Sequence, residues 1–189
     1  NSKDVNTLVN LGCVLKDLGK PKEAEKFLRN ALKINPTYEI VLTNLGSVLN
    51  ELEKIEEGER YLRKALNINP ASPMALNNLG NILSKKKNNS EAEFCYRKAI
   101  EIKSDFSLAY NNLASLLSRQ GKLEEFTEKA ILYNPKFELA YVNLGSIKID
   151  LDKLTEAENL FLSAIEINEN YSYAYRNLFR LYEKTNKIS

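Results

Sequence analysis

The sequence predicts an all-α protein, an α-solenoid of helical hairpins, and three observations carry that expectation. The tripeptide Asn10-Leu11-Gly12 returns as Asn44-Leu45-Gly46, Asn78-Leu79-Gly80, Asn112-Leu113-Ala114, Asn143-Leu144-Gly145 and Asn177-Leu178-Phe179, at steps of 34, 34, 34, 31 and 34 residues. A fixed period of that size marks stacked supersecondary units. Within each period apolar residues fall at helical spacing in two blocks: in the first, Leu8, Leu11, Leu15 and Leu18, then Phe27, Leu28, Ala31, Leu32 and Ile34. Breakers separate the blocks. Gly19-Lys20-Pro21 lies between them, and Asn35-Pro36, Asn69-Pro70 and Asn134-Pro135 close units, because the residue before a proline is pushed out of the helical region.

These signals place hairpins at 3–36, 37–70, 71–104, 105–135 and 136–169, followed by a lone helix over 170–187. That makes eleven helices in one solenoid spanning 1–189. Second helices of the third and fifth units open with Ser90-Glu91-Ala92-Glu93 and Thr155-Glu156-Ala157-Glu158, the pattern of a reciprocal capping box. Small residues recur where helices must approach: Gly12, Gly46, Gly80, Ala114 and Gly145 in first helices, and Ala31, Ala65, Ala99, Ala130 and Ala164 in second helices. A glycine inside a helix costs about 1 kcal/mol against alanine, so its return at one register argues that another helix presses there.

Two places break the pattern. From Gly121 to Phe126 the chain takes five steps where the first unit takes eight from Gly19 to Phe27. Three residues are missing from the start of that second helix, which is expected to be about 4.5 Å shorter. This is either a true deletion that bends the array at Glu124–Lys129 or a segment left out of the sequence. In the last helix Phe179 replaces the small residue. Phe179 and Tyr182 are expected to cover the open end as a cap, with Arg180, Glu183 and Lys184 exposed; the alternative is a docking face for a further helix.

Composition narrows the function. Of 189 residues 43% are apolar and 28% charged, and no apolar run approaches the roughly 18 residues of a membrane span. Net charge is +2, with 27 basic and 25 acidic residues interleaved, so no broad field attracts nucleic acid or anionic lipid. Cys13 and Cys95 lack metal-ligand spacing and read as small buried or half-buried thiols, compatible with a reducing, cytoplasmic setting. The chain opens on Asn1 with no visible signal peptide, the expectation for a fragment or a processed form. There is no histidine and no Gly-rich phosphate loop, so serine and cysteine triads, zinc sites and nucleotide cofactors lack their usual parts. The reading is a non-enzyme without catalytic residues, metal or cofactor. Glu23, Glu57, Glu91, Glu125 and Glu156 sit in first turns of second helices, where the helix dipole explains them.

Leu79-Gly80, Leu83, Ala92, Tyr96 and Ala99 in the third unit, and Leu11-Gly12, Leu15, Ala24, Ala31 and Pro36 in the first, resemble the tetratricopeptide repeat (TPR) family, and the resemblance extends over essentially the whole chain. It implies a right-handed superhelix of five such units and a C-terminal capping helix. Departures exist. Leu8, Leu42, Leu76, Tyr110, Tyr141 and Tyr175 stand where the family often has tryptophan. Gly58 replaces the alanine seen at Ala24, Ala92 and Ala157, and Lys148 replaces a leucine; both are expected to loosen packing locally.

Asn10, Asn44, Asn78, Asn112, Asn143 and Asn177 occupy all six first helices, although asparagine costs about 0.5 kcal/mol against alanine there. In the family, first helices line the concave wall. The resemblance therefore implies a row of six amides, similar to the asparagine ladder of the O-linked N-acetylglucosamine transferase repeats, which holds an extended peptide by its backbone. Asn77, Asn81 and Asn111 stand beside the row as further candidate contacts. Each carboxamide offers donor and acceptor together, and six rungs would span about 15 extended residues. Ile40, Met74, Leu108, Leu139 and Tyr173 lie one turn earlier on that face, and Arg119, Arg176, Arg180 and Lys184 make its C-terminal part basic. Alternatively, the amides bond within the array or persist from unit duplication. A clamp for a C-terminal carboxylate is missing, since Val9, Thr43 and Asn77 flank the row in the first three units. The expected role is a protein–protein interaction scaffold that binds an extended peptide in its groove. A recruiting or regulatory arm of a larger enzyme, such as a glycosyltransferase, and a self-assembly module with stacked ends are the competing readings.

Overall fold

The computed structural model describes residues 2–117 and 123–185, with side chains from Val5 onward. Among them are eleven helices and no strand: α1 (Ser2–Asp17), α2 (Pro21–Ile34), α3 (Glu39–Glu51), α4 (Ile55–Ile68), α5 (Pro73–Lys85), α6 (Asn89–Ile102), α7 (Ser107–Leu116), α8 (Leu123–Tyr133), α9 (Glu138–Asp150), α10 (Leu154–Ile167) and α11 (Ser172–Lys184). Consecutive helices pair as hairpins, and α2, α4, α8 and α10 also pack on the first helix that follows each of them. The packing falls into two compact units, Asn1–Ser104 and Asp105–Ser189.

Backbone geometry sets the hairpin turns. At one register the chain enters the left-handed region, with φ of 70° at Gly19, 58° at Glu53, 61° at Lys87 and 58° at Asp152. The next amide then folds back onto the first helix: Lys20 N–H donates to Leu15 O at 2.8 Å, Lys54 to Leu49 at 2.9 Å, Asn88 to Leu83 at 2.9 Å and Lys153 to Lys148 at 2.8 Å. This is the six-to-one bond of a Schellman turn. Between hairpins, Asn35, Asn69, Asn134 and Asn168 each accept at Oδ1 from the amide two residues on, at 3.1–3.2 Å. That side-chain turn ends the helix whether or not a proline follows.

Each hairpin closes on a matched pair. A Cβ added to Gly12 would lie 2.8 Å from Leu28 Cγ, at Gly46 2.5 Å from Leu62 Cγ, at Gly80 2.5 Å from Tyr96 Cε1 and at Gly145 2.4 Å from Phe161 Cε1. These partners are all buried. The α7–α8 hairpin carries Ala114 and Thr127 at the same two positions, a bulkier first helix against a smaller second one; Thr127 is fully buried and its hydroxyl donates to Leu123 O at 2.7 Å. Tyr110 stacks on Tyr133 at 5.4 Å between ring centroids, and Phe126 lies 6.3 Å from the same ring.

Several expectations need correction. The capping boxes do not form. α6 and α10 begin at Asn89 and Leu154, before Ser90 and Thr155, and their N-caps Asn88 and Lys153 make no side-chain cap bond. Gly58 is not a loose spot: an added Cβ would meet Ile82 Cδ1 at 3.0 Å and Gly46 O at 3.1 Å, so close approach of backbones requires glycine. Lys148 is 8% exposed, and its Nζ donates to Glu124 and lies 2.7 Å from carboxylate oxygens of both Glu124 and Glu156. Those hydrogen bonds raise its pKa above the usual lysine value. Phe179 lies off the packed side of α11. It is 53% exposed, and the buried side of α11 is Ala174, Leu178 and Leu181, while Tyr182 donates to Glu158 Oε1 at 2.7 Å. Among the described residues α8 runs over 11, where α2, α4, α6 and α10 have 14. Arg119 and Gly121 lie outside the described residues.

The second helices of the first unit carry an ion-pair ladder. Arg29 binds Glu25 on its own helix at 2.7 Å and Glu57 on α4 at 2.9 Å, and Arg63 repeats this with Glu59 and Glu91, both at 2.8 Å. Lys54 and Lys86 add bonds to Glu25 and Glu59. Burial alone would raise the Glu25 pKa, but the hydrogen bonds from Lys54 and Arg29 override it and leave it lowered. At Glu59 the bond from Lys86 leads and outweighs burial, also lowering it. Both groups therefore titrate below the ordinary 4.5 when folded. Their stabilisation is present above that pH and is lost as pH falls through the folded-state values. As pH is lowered from 7 through those folded-state values, wild type should lose more thermal stability than Glu25→Gln/Glu59→Gln. Parallel curves in a differential scanning experiment would remove the ladder's role.

Candidate functional site

In the first unit the face of interest is built by α1, α3 and α5. Residues four apart on a helix are surface neighbours, so α3 sets Ile40 one turn before Asn44 and α5 sets Met74 one turn before Asn78. Ile40 is 46% and Met74 44% exposed. Asn44 and Asn78 are half-buried, Asn10 is exposed, and the side chains of all three make no hydrogen bond among the described residues. The positions just before two of them turn inward: Thr43 is 4% and Asn77 2% exposed. Thr43 Oγ1 and Ser72 Oγ both donate to Glu39 Oε1, at 2.8 and 2.7 Å, which fixes the start of α5 to α3. Asn81, half-buried, accepts at Oδ1 from the Tyr96 hydroxyl at 2.8 Å. Burial lifts the Tyr96 pKa well above the usual phenol value and keeps that donor protonated.

In the second unit α7, α9 and α11 carry Asn112, Asn143 and Asn177, all half-buried. Here amides are engaged internally. Asn143 Nδ2 donates to Asn111 Oδ1 at 2.9 Å, tying α9 to α7, and Asn177 Nδ2 donates to Tyr173 O at 2.7 Å within α11. Asn111 itself is 2% exposed. A carboxamide has two N–H donors and an acceptor oxygen, so one such bond leaves Asn143 and Asn177 a second N–H and Oδ1. Leu108 and Tyr173, one turn before Asn112 and Asn177, are 39% and 41% exposed, and Leu139 is half-buried. Arg176 and Arg180 are exposed on α11.

The arrangement can present polar bonds beside apolar contact surface. Cys95 is buried and its thiol is pushed up to about 11 by burial, and Cys13, half-buried, is raised for the same reason. The arginine ladder on the second helices was missed in the sequence, where Arg29, Arg63 and Arg97 recur at the repeat period, each four residues after a glutamate. No described helix is long and apolar enough to cross a membrane.

Profiles of the tetratricopeptide repeat match residues 5–38 and 73–106, 41–72 and 139–171, and 95–125. No curated protein matches the sequence. Among solved structures, TTC0263, a TPR protein of the thermophile Thermus thermophilus, is 15% identical with a TM-score of 0.84, covering 94% of this chain and 98% of that one. Pseudomonas aeruginosa pilF is 18% identical with a TM-score of 0.78, covering 98% and 86%. YrrB, described as a TPR protein with an unusual peptide-binding site, is 19% identical with a TM-score of 0.58, covering 94% and 93%. At these identities the likeness is one of fold. The repeats matched along most of its length supply the rest: the chain belongs to the tetratricopeptide repeat family, whose repeats support a protein–protein interaction scaffold.

Proposed function

We propose that this chain binds an extended segment of a partner protein, with first-helix carboxamides pairing to the segment's backbone. The observation that carries the reading is Asn44 and Asn78, half-buried on adjacent first helices, whose side chains make no hydrogen bond among the described residues. Partly desolvated amides of this kind gain by pairing with an incoming N–H and C=O. The reading leaves out Asn77 and Asn111, which are buried. YrrB, with its peptide-binding site, lends the reading a precedent of like fold.

The test is selection of displayed random 15-residue peptides on the full chain, followed by affinity measurement on Asn44→Ala/Asn78→Ala. Alanine is the better helix former, so helicity and melting should be unchanged or slightly raised. Affinity should fall about tenfold for two lost hydrogen bonds. Equal affinity in both proteins would overturn the reading.

A further inference from the structure

Building on that reading, we infer that the bound segment is a polyproline II strand with an apolar side chain at every third residue. Two large apolar side chains, Ile40 and Met74, stand nearly half exposed, each one helical turn from an unengaged carboxamide. They lie 34 residues apart at the same register of α3 and α5, which pack directly on each other. The second unit exposes Leu108 and Tyr173 at the same register of α7 and α11, although there Asn177 is already bonded to Tyr173 O.

Spacing decides which ligand conformation fits. Axes of packed helices are about 8–10 Å apart, and that distance separates one apolar anchor from the next. In a β-strand, side chains on one face recur every second residue, about 6.6–6.8 Å, or every fourth, about 13 Å. Neither matches. A polyproline II strand turns once in three residues at about 3.1 Å each, so one edge recurs every 9.3 Å or so, and its backbone carries no internal hydrogen bonds. One edge thus meets successive apolar anchors while the backbone stays open to the amides. On α1 the equivalent of Ile40 is Asn6, exposed and bonded at Oδ1 by the Tyr38 hydroxyl at 3.1 Å, so the third step in the first unit takes a polar residue.

The probes are two synthetic 15-residue peptides of one composition, five Leu-Pro-Gln triplets and a reordered peptide in which no two leucines are three residues apart. Fluorescence anisotropy with the full chain should show the triplet peptide binding about tenfold tighter or more, the worth of one buried aliphatic side chain. Ile40→Ser/Met74→Ser, at exposed positions, should erase that preference, and Asn44→Ala/Asn78→Ala should weaken both peptides alike. Equal binding of the two peptides that still falls in Asn44→Ala/Asn78→Ala would overturn the spacing and leave the peptide-binding reading intact. Binding of neither peptide, or binding that ignores all four substitutions, would overturn both.

Discussion

Phe161→Ala is expected to lower the stability of the second unit by about 3–5 kcal/mol, the usual loss for emptying a fully buried aromatic site. Phe161 is 0% exposed and belongs to a cluster with Val142, Ala157, Ala164, Ala174, Leu178 and Leu181, flanked by Tyr141, Tyr171 and Tyr182. Its ring lies over Gly145, so truncation removes contacts that a backbone without a side chain cannot replace. A linear array unfolds in parts. Hydrogen exchange, not a single melting point, is the appropriate measurement: amides of α9, α10 and α11 should lose protection while those of α3 and α4 keep theirs. A loss below about 1 kcal/mol would mean that the hairpin collapses onto the gap and that Phe161 is not its anchor.

Gly145→Ala should destabilise by about 2 kcal/mol, although alanine is favoured over glycine in a helix by about 1 kcal/mol. The new methyl would sit 2.4, 2.9 and 3.0 Å from three atoms of the Phe161 ring, which has no free space to retreat into. Overpacking of this kind costs about 1–3 kcal/mol and here exceeds the propensity gain. The fourth hairpin supplies the control, since Ala114 and Thr127 occupy the two positions there. Gly145→Ala/Phe161→Thr, which copies that pair, should be less destabilised than the sum of its single substitutions by about 1–2 kcal/mol. Additivity in urea denaturation would show that the two positions do not meet.

Repetition explains how much was legible. A single Asn-Leu-Gly is an ambiguous signal, but six copies in register make the succession of helical hairpins readable along the chain. The helix starts were misread because Ser90 and Thr155 look like caps locally, whereas the Schellman bonds to Leu83 O and Lys148 O set where the next helix begins. Only Gly19 announces that turn among the described residues; Glu53, Lys87 and Asp152 hold the same left-handed conformation with side chains that give no warning. Lys148 looked like a flaw in a leucine column because its two carboxylates come from neighbouring second helices, one 24 residues before it in the chain. The row of asparagines was visible, but not its division of labour. Asn143 is engaged because Asn111 sits across from it on α7, while Asn44 and Asn78 meet no such partner among the described residues.

The glycine and bulky-ring pairings also constrain how such a chain can change over generations. Recombination that cuts between hairpins carries both halves of each fit together, whereas a crossover inside a hairpin mates the wrong sizes. Joining an Ala114-type helix to a Phe161-type helix would collide, and joining a Gly145-type helix to a Thr127-type helix would leave a hole. The heritable module is thus the hairpin and not the helix, and successful chimaeras of this protein should have their junctions at Asn35, Asn69, Asn134 or Asn168.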